Sequence, residues 1–213
     1  MNRDKNRFQK ILAQVPVDYY AKGVKNNFLQ KYWHSKKWQH LVNFLKKPHG
    51  RLLDIGCADG TTTYQIKKRF PKLKITGLDY YKETIDFAKK TKPQIHFVHG
   101  DAHELPFGNE TFDIVTAIEV LEHLEKPKKV LSEIKRVLKP GGKFIIVQDT
   151  DSLLFRTVWW FWTKSTGAVW INSHINCVPP KKLLETIRRS GFSINKIMYS
   201  NFKMEIFVEA VKK

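Results

Sequence analysis

The chain has 213 residues, 42% of them hydrophobic and 27% charged; this composition excludes a disordered chain, and the length is enough for one well-buried core. No apolar run approaches the roughly 20 residues of a membrane-crossing helix, and the longest, SLLFRTVWWFW, is interrupted by Arg156. The formal net charge of +18 attracts nucleic acid or anionic headgroups, and it is equally an ordinary solubility feature.

The charge is uneven. Residues 1–50 carry 11 Lys and Arg against 2 Asp and Glu, whereas residues 51–150 carry 17 against 14. The opening MNRDKNRFQK is polar and unlike a secretory leader. In NFLQKYWHSKKWQHLVNFLKK, the residues Phe28, Trp33, Trp38, Leu41, Val42 and Leu45 are available for one helical face. Residues 1–50 therefore read as a basic helical segment packed on a domain spanning 51–213. Cys57 and Cys177 form no CxxC and no metal spacing, so reduced thiols in a cytoplasmic protein, and no bound metal, are the expectation.

From residue 51 strands and helices alternate. RLLDI is a strand, TTTYQIKKRF a helix, LKITGLD a strand and KETIDFAKKT a helix. IHFVHGD and FDIVTAI are the next two strands. PKKVLSEIKRVLKPGG places Val130, Leu131, Ile134, Val137 and Leu138 on one helical face and closes on Pro-Gly-Gly. KFIIVQD is a fifth strand, and PKKLLETIRRSGF a last helix. Alternation of this kind implies a parallel sheet covered on both faces. SINKIMYSNF and MEIFVEAVKK then follow with almost nothing between them, which implies antiparallel pairing at one edge.

Three strands end in acids on what becomes one rim. LLDIGCADG carries Asp54, with Gly56, Cys57, Asp59 and Gly60 in the turn that follows. Glycines there admit a ligand to the backbone, beyond the carboxyl ends of the strands where open α/β sheets bind ligands. The spacing is GxxxG and not the GxGxxG of a dinucleotide site. An acid two residues before the first glycine disfavours a pyrophosphate and favours a cationic amino group. GLDYY brings Asp79, able to accept both ribose hydroxyls, and Tyr80, able to lie on a purine. HGDAHELPF brings Asp101 for an adenine amino group and the Ala102 N–H for a ring nitrogen. A single such acid is commonly a helix cap; three in this order point to a nucleoside.

These stretches, together with FDIVTAIEVLEHL, VLKPGG and HINCVPPKKLLETIRRSGF, resemble class I S-adenosylmethionine (SAM)-dependent methyltransferases of the ubiquinone/menaquinone and small-molecule type. The resemblance spans roughly residues 50–213. It implies a Rossmann-like, doubly wound seven-stranded sheet, mainly parallel with an antiparallel last strand, and SAM as cofactor. It also implies that Asp54, Gly56 and Asp59 line the methionine part, that Asp79 holds the ribose, that Asp101 and Ala102 meet the adenine, and that the Ile118 backbone meets the SAM amino group. Ala58 stands where the family commonly has glycine, which implies a slightly altered turn.

Methyl transfer needs a general base only when the nucleophile carries a proton. His174, ahead of the last helix, and Asp149, at the end of the fifth strand, are the catalytic candidates. His123 reads as a structural histidine, and Glu119, Glu122 and Glu125 as a solvated acidic first turn. Four of the six tryptophans, Trp159, Trp160, Trp162 and Trp170, fall within residues 151–178, where the family carries a lid over the acceptor pocket. Adjacent Trp159 and Trp160 cannot both face one side. The rings suit a small satellite core, a pocket wall for an apolar acceptor, or a membrane-interface patch beside Arg156 and Lys164. The expectation is methyl transfer to a small or lipid-like, partly apolar acceptor, with peripheral contact to an anionic membrane. RNA is the alternative substrate, and a silent binding or scaffold protein the alternative class.

Overall fold

The computed structural model describes residues 14–19, 22, 28–164, 167–171 and 173–213, without the side chains of residues 28–30 and 169. Seven strands form one sheet: β1 (Arg51–Ile55), β2 (Lys74–Asp79), β3 (His96–His99), β4 (Phe112–Ile118), β5 (Leu138–Asp149), β6 (Phe192–Ser200) and β7 (Glu205–Lys212). Their order is β3-β2-β1-β4-β5-β7-β6. Among the described residues the helices are α1 (Phe28–Phe44), α2 (Thr61–Arg69), α3 (Lys82–Thr91), α4 (Pro127–Val137), α5 (Leu153–Thr163) and α6 (Pro180–Arg189).

The expected doubly wound sheet is present. β7 runs antiparallel to both β5 and β6, and the other pairings are parallel. Only a short turn, Asn201–Lys203 and Met204, separates β6 from β7. That is too short for the crossover a parallel return needs. Alternation along the central strands sends side chains to opposite faces. Leu53, Val115, Phe144 and Ile146 pack against Val130, Leu131, Ile134 and Val137 of α4 and Leu183 and Ile187 of α6. Leu52, Ile114, Ile145 and Val147 pack against Leu41 and Phe44 of α1 and Ile66 of α2. Strands buried on both faces read as continuous apolar runs, as they do here.

Two local readings change. The helix PKKVLSEIKRV stops at Val137, and Leu138 already belongs to β5, where the pairing with β4 is irregular between Phe112 and Ile114. Lys139 precedes Pro140, whose ring disfavours the helical conformation in the residue before it. The face of α1 also differs. Leu41, Phe44 and Leu45 are buried and Trp38 packs on them, while Phe28 lies outside the described side chains.

The buried side of α1 also holds a cation. Lys37 is only 6% exposed, and its ammonium pairs with Glu119 and, at 3.1 Å, with the fully buried Glu205. Glu205 also accepts from the Trp33 indole N–H at 2.7 Å and from the Asn201 side-chain amide at 2.6 Å. Burial alone would pull the Lys37 ammonium down, but Glu119 and Glu205 outweigh it and hold it above its ordinary range. Removing one partner of a buried pair strands the other charge. Lys37→Met is therefore expected to cost about 3–5 kcal/mol at neutral pH, or roughly 6–20 °C in thermal unfolding for a chain of this size. A midpoint within about 2 °C of the wild type would show that the ion pair is not structural.

Candidate active site

The cleft is built at the carboxyl ends of β1, β2 and β3. As β1 ends, the chain turns through Gly56 at φ +70°, where an added Cβ would lie 2.4 Å from Val120 Cγ2. Only glycine fits that conformation and that space. The N–H groups of Gly56 and Cys57 both donate to the Leu78 carbonyl, at 2.8 and 3.1 Å. The turn is thereby tied to the tip of β2. The next residue, Ala58, is left-handed at φ +45°, a conformation that costs a non-glycine residue about 1–2 kcal/mol. Its N–H donates to Asp79 Oδ2 at 2.8 Å, and the Tyr81 N–H donates to Asp79 Oδ1 at 2.8 Å. Burial pushes the Asp79 carboxyl above its ordinary range, and the N–H groups of Tyr81, Ala58 and Tyr80 pull it partly back.

The cleft has a volume of about 1190 Å³ including its open mouth. Of the residues expected to bind cofactor, Gly56, Asp59, Asp79, Tyr80, Asp101 and Ala102 line it. Asp59 Oδ1 accepts from the Thr61 N–H at 2.9 Å. Asp101 Oδ1 accepts from the His103 N–H at 2.8 Å and lies 2.6 Å from His103 Nδ1.

Asp54, Cys57, Gly60 and Ile118 do not line the cleft, each for a local reason. Asp54 is buried beneath the turn, and its two oxygens accept from the hydroxyls of Thr63 at 2.6 Å and Thr116 at 2.7 Å. Burial pushes its carboxyl up to about 6 against the pull of those hydroxyls. Cys57 packs with Ile85, Ala88, Ile95 and Phe97, away from the opening. Gly60 caps α2 in a left-handed conformation against Phe97. Ile118 packs toward the α1 side, beside Trp38 and Leu41.

The opposite wall comes from the segment after β4. Leu121–His123 form a single 3₁₀ turn, and this is no solvated acidic face. Glu119 pairs with Lys37, Glu122 is fully buried, and His123 lines the cleft. The His123 Nδ1 lies 2.9 Å from the Ser173 carbonyl. A carbonyl only accepts, so Nδ1 carries the proton and the ring's lone pair is on Nε2. His174 lies behind His123, with ring centroids 5.0 Å apart, and its Nε2 stands 3.7 Å from Asp149 Oδ2. The two catalytic candidates are thus neighbours, one layer back from the cleft. Burial, then the His123 ring, lowers His174 to about 3. Burial, then Glu119, Glu122 and Glu205, raises Asp149 well above the usual carboxylate range. A general base works best near the working pH, so His174 is a weak proton acceptor where it stands.

The four tryptophans divide among three roles. Trp170 is 8% exposed, lines the cleft and meets Tyr19 edge-on at 5.7 Å. Trp159 stacks on His174 at 4.2 Å and on Phe155 at 5.5 Å, and Trp162 lies against Trp159 at 4.9 Å. Trp160 points outward, 56% exposed.

Sequence reasoning missed Val15, Val17 and Tyr19, which line the cleft, and Lys37 and Glu205 behind it. Glu205 left a trace, an acid opening the apolar run EIFVEAV; Tyr19 left none.

The residues present fit SAM. Gly56 opens the backbone to a ligand, and each Asp79 oxygen has two acceptor directions of which a backbone N–H uses one. Tyr80 and Ala102 stand where a purine is expected.

Comparison with known proteins agrees. A family model described as a methyltransferase domain matches residues 53–146. An uncharacterised protein of Methanocaldococcus jannaschii is 36% identical over 160 residues, covering 73% of this chain and 71% of that protein. A demethylmenaquinone methyltransferase of Renibacterium salmoninarum is 33% identical over 129 residues, covering 59% of this chain and 54% of the relative. The chain spans about half the length of the curated relatives that match it first, 55% and 54%. In fold alone it is similar to a SAM-dependent methyltransferase of Aquifex aeolicus, with a TM-score of 0.63, 18% identity and coverage of 82% and 88% of the two chains. Three strand-tip acids, a glycine turn pinned to β2 and these matches converge: the chain belongs to the class I SAM-dependent methyltransferases.

Proposed function

We propose that the chain transfers a methyl group from SAM to a lipid-like, partly apolar acceptor at a membrane surface. The observation that carries the acceptor class is the outer face of α5. Leu153, Leu154, Val158 and Phe161 recur on one side of that helix with Trp160 beside them, and all five are exposed. Leu153 is 81% and Phe161 63% exposed. Phe202, 87% exposed, lies in the turn between β6 and β7, whose Lys203 carbonyl accepts from the Thr150 hydroxyl just ahead of α5. Arg156 and Lys164 flank the apolar side chains, and the Lys164 ammonium lies 5.8 Å from the Trp160 ring. Apolar and aromatic groups bordered by cations suit an anionic bilayer interface. From that face Trp159, His174 and His123 lead ring to ring into the cleft. The relatives named demethylmenaquinone methyltransferases support a quinone-like lipid as acceptor. The net positive charge of residues 1–50 adds to the attraction for anionic headgroups.

The cofactor supplies an electrophilic methyl carbon on a sulfonium. The chain orients and shields it. Asp79 accepts the ribose hydroxyls, Asp101 and the Ala102 N–H meet the adenine, and Gly56 and Asp59 border the methionine part. Tyr19, Trp170 and Val120 also line the cleft and exclude water from the reacting atoms. Asp54 acts indirectly, by tying the glycine turn to α2 and β4 through Thr63 and Thr116.

Asp79→Ala removes a charged acceptor for two hydroxyls and releases Ala58; SAM affinity by calorimetry is expected to fall about a hundredfold or more. Unchanged affinity would remove Asp79 from the cofactor site. Replacing Leu153, Trp160 and Phe161 by serine is expected to weaken sedimentation with phosphatidylglycerol vesicles by at least about tenfold, with SAM affinity retained. Equal sedimentation would contradict the membrane face. With labelled SAM, label should enter demethylmenaquinone presented in such vesicles; label found only in added RNA would overturn the acceptor class.

A further inference from the structure

Behind the cleft wall three side chains converge on one point. Glu122, His123 and His174 each offer an atom able to bind a metal, and those atoms all lie within 4.8 Å of one another. The 3₁₀ turn after β4 supplies two of them and the segment ahead of α6 the third. Backbone bonds lock the two segments together. The Asn176 N–H donates to the Glu122 carbonyl at 2.8 Å, and the Ser173 carbonyl faces His123 Nδ1 at 2.9 Å.

Glu122 is the independent sign that something belongs there. It is fully buried, and among the described residues neither of its side-chain oxygens has a hydrogen-bond partner of normal geometry; burial pushes its carboxyl up to about 8 against the weaker pull of the Glu122 and Asp149 N–H groups. A buried polar group is nearly always satisfied, and a buried carboxylate left alone is costly. Glu119, Asp149 and Glu205 form a second group of converging acids directly behind. Lys37 is the cation that pairs with two of these four carboxyl groups.

We propose that Glu122, His123 and His174 form a binding site for a divalent first-row transition-metal ion such as Mn²⁺ or Zn²⁺. Two imidazoles and one carboxylate are a donor set that favours such ions over Ca²⁺ or Mg²⁺, which prefer oxygen alone. Ligands about 2.1 Å from an ion stand about 3–4 Å apart, so modest side-chain rotations close the site. The His123 tautomer already puts its lone pair on Nε2. Asp149, 3.7 Å from His174 Nε2, is placed as the outer carboxylate that orients a ligating imidazole. The sequence conceals the set because two ligands are adjacent and the third lies far along the chain.

Three protein ligands leave coordination positions open. His123 lines the cleft, so an ion held here would border the place proposed for the acceptor. It would lower the pH at which an acceptor hydroxyl gives up its proton to water. The oxygen would then take the methyl carbon as the carbon–sulfur bond breaks, with the electron pair left on sulfur. This role rests on the methyl-transfer reading; the metal site does not.

The test uses the full chain, stripped with EDTA and desalted, without cofactor. Mn²⁺ titration followed by electron paramagnetic resonance, with Zn²⁺ as competitor, should give one equivalent bound. Glu122→Gln and His174→Ala should each weaken binding by at least about tenfold, and Mn²⁺ should raise the thermal midpoint of the wild type but not of His174→Ala. A wild type that binds no stoichiometric Mn²⁺ or Zn²⁺, or variants that bind as the wild type does, overturns the site. His174→Ala carries the test if Glu122→Gln does not fold. A separate SAM titration on the same samples reports the cofactor cleft, so failure of either reading is seen on its own.

Discussion

One carboxylate organises the cofactor side of this protein. Asp79 ends β2, and its two oxygens each take one backbone N–H, from Ala58 in the neighbouring loop and from Tyr81 ahead of α3. Two loops from adjacent strands are thereby fixed relative to each other before any ligand arrives. The same bond supports Ala58 in a left-handed conformation that most residues avoid. A carboxylate held this way is preorganised: its remaining lone pairs are fixed in direction, and on the proposed reading they take the ribose hydroxyls with little ordering left for binding to supply. The glycine turn, the buried Asp54 and the bonds of Gly56 and Cys57 to Leu78 all serve to keep that geometry.

The fold was legible because its determinants are local. Alternating strand and helix periods, the short link between β6 and β7 and the acids at strand tips each have a direct reading in the chain. Asp79, Asp59, Asp101 and Ala102 could be placed on one rim from order alone, since successive parallel strands put their carboxyl ends side by side. Asp54 could not be placed fully, because which way a strand-end side chain turns depends on partners such as Thr63 and Thr116 that arrive from α2 and β4. The acids of EVLEHL were misread for a similar reason. Spacing suggested a wet helical turn, whereas Lys37 from α1 and the segment ahead of α6 enclose them. A buried lysine inside a basic, polar-looking helix leaves no sign in the sequence, because the charge that accepts it sits on β7.

The two sides of the cleft differ in kind. One is a rigid rim of backbone and carboxylates suited to a nucleoside. The other is a run of rings, from Trp159 through His174 to His123 and Trp170, that leads from α5 to the cleft. Dispersing the tryptophans in this way answers why so many lie close together in sequence: one faces the cleft, one stacks on His174 with a second packed against it, and one faces outward. Beneath this wall Lys37 pairs with Glu119 and Glu205, while burial holds the carboxyl groups of Glu122 and Asp149 above the usual carboxylate range.

The most direct measurement is a crystal structure of the chain with S-adenosylhomocysteine. The account predicts both ribose hydroxyls on Asp79, the adenine between Tyr80 and Ala102, and the sulfur turned toward the His123 wall. A nucleoside seated elsewhere, or a ribose held by side chains other than Asp79, would contradict it.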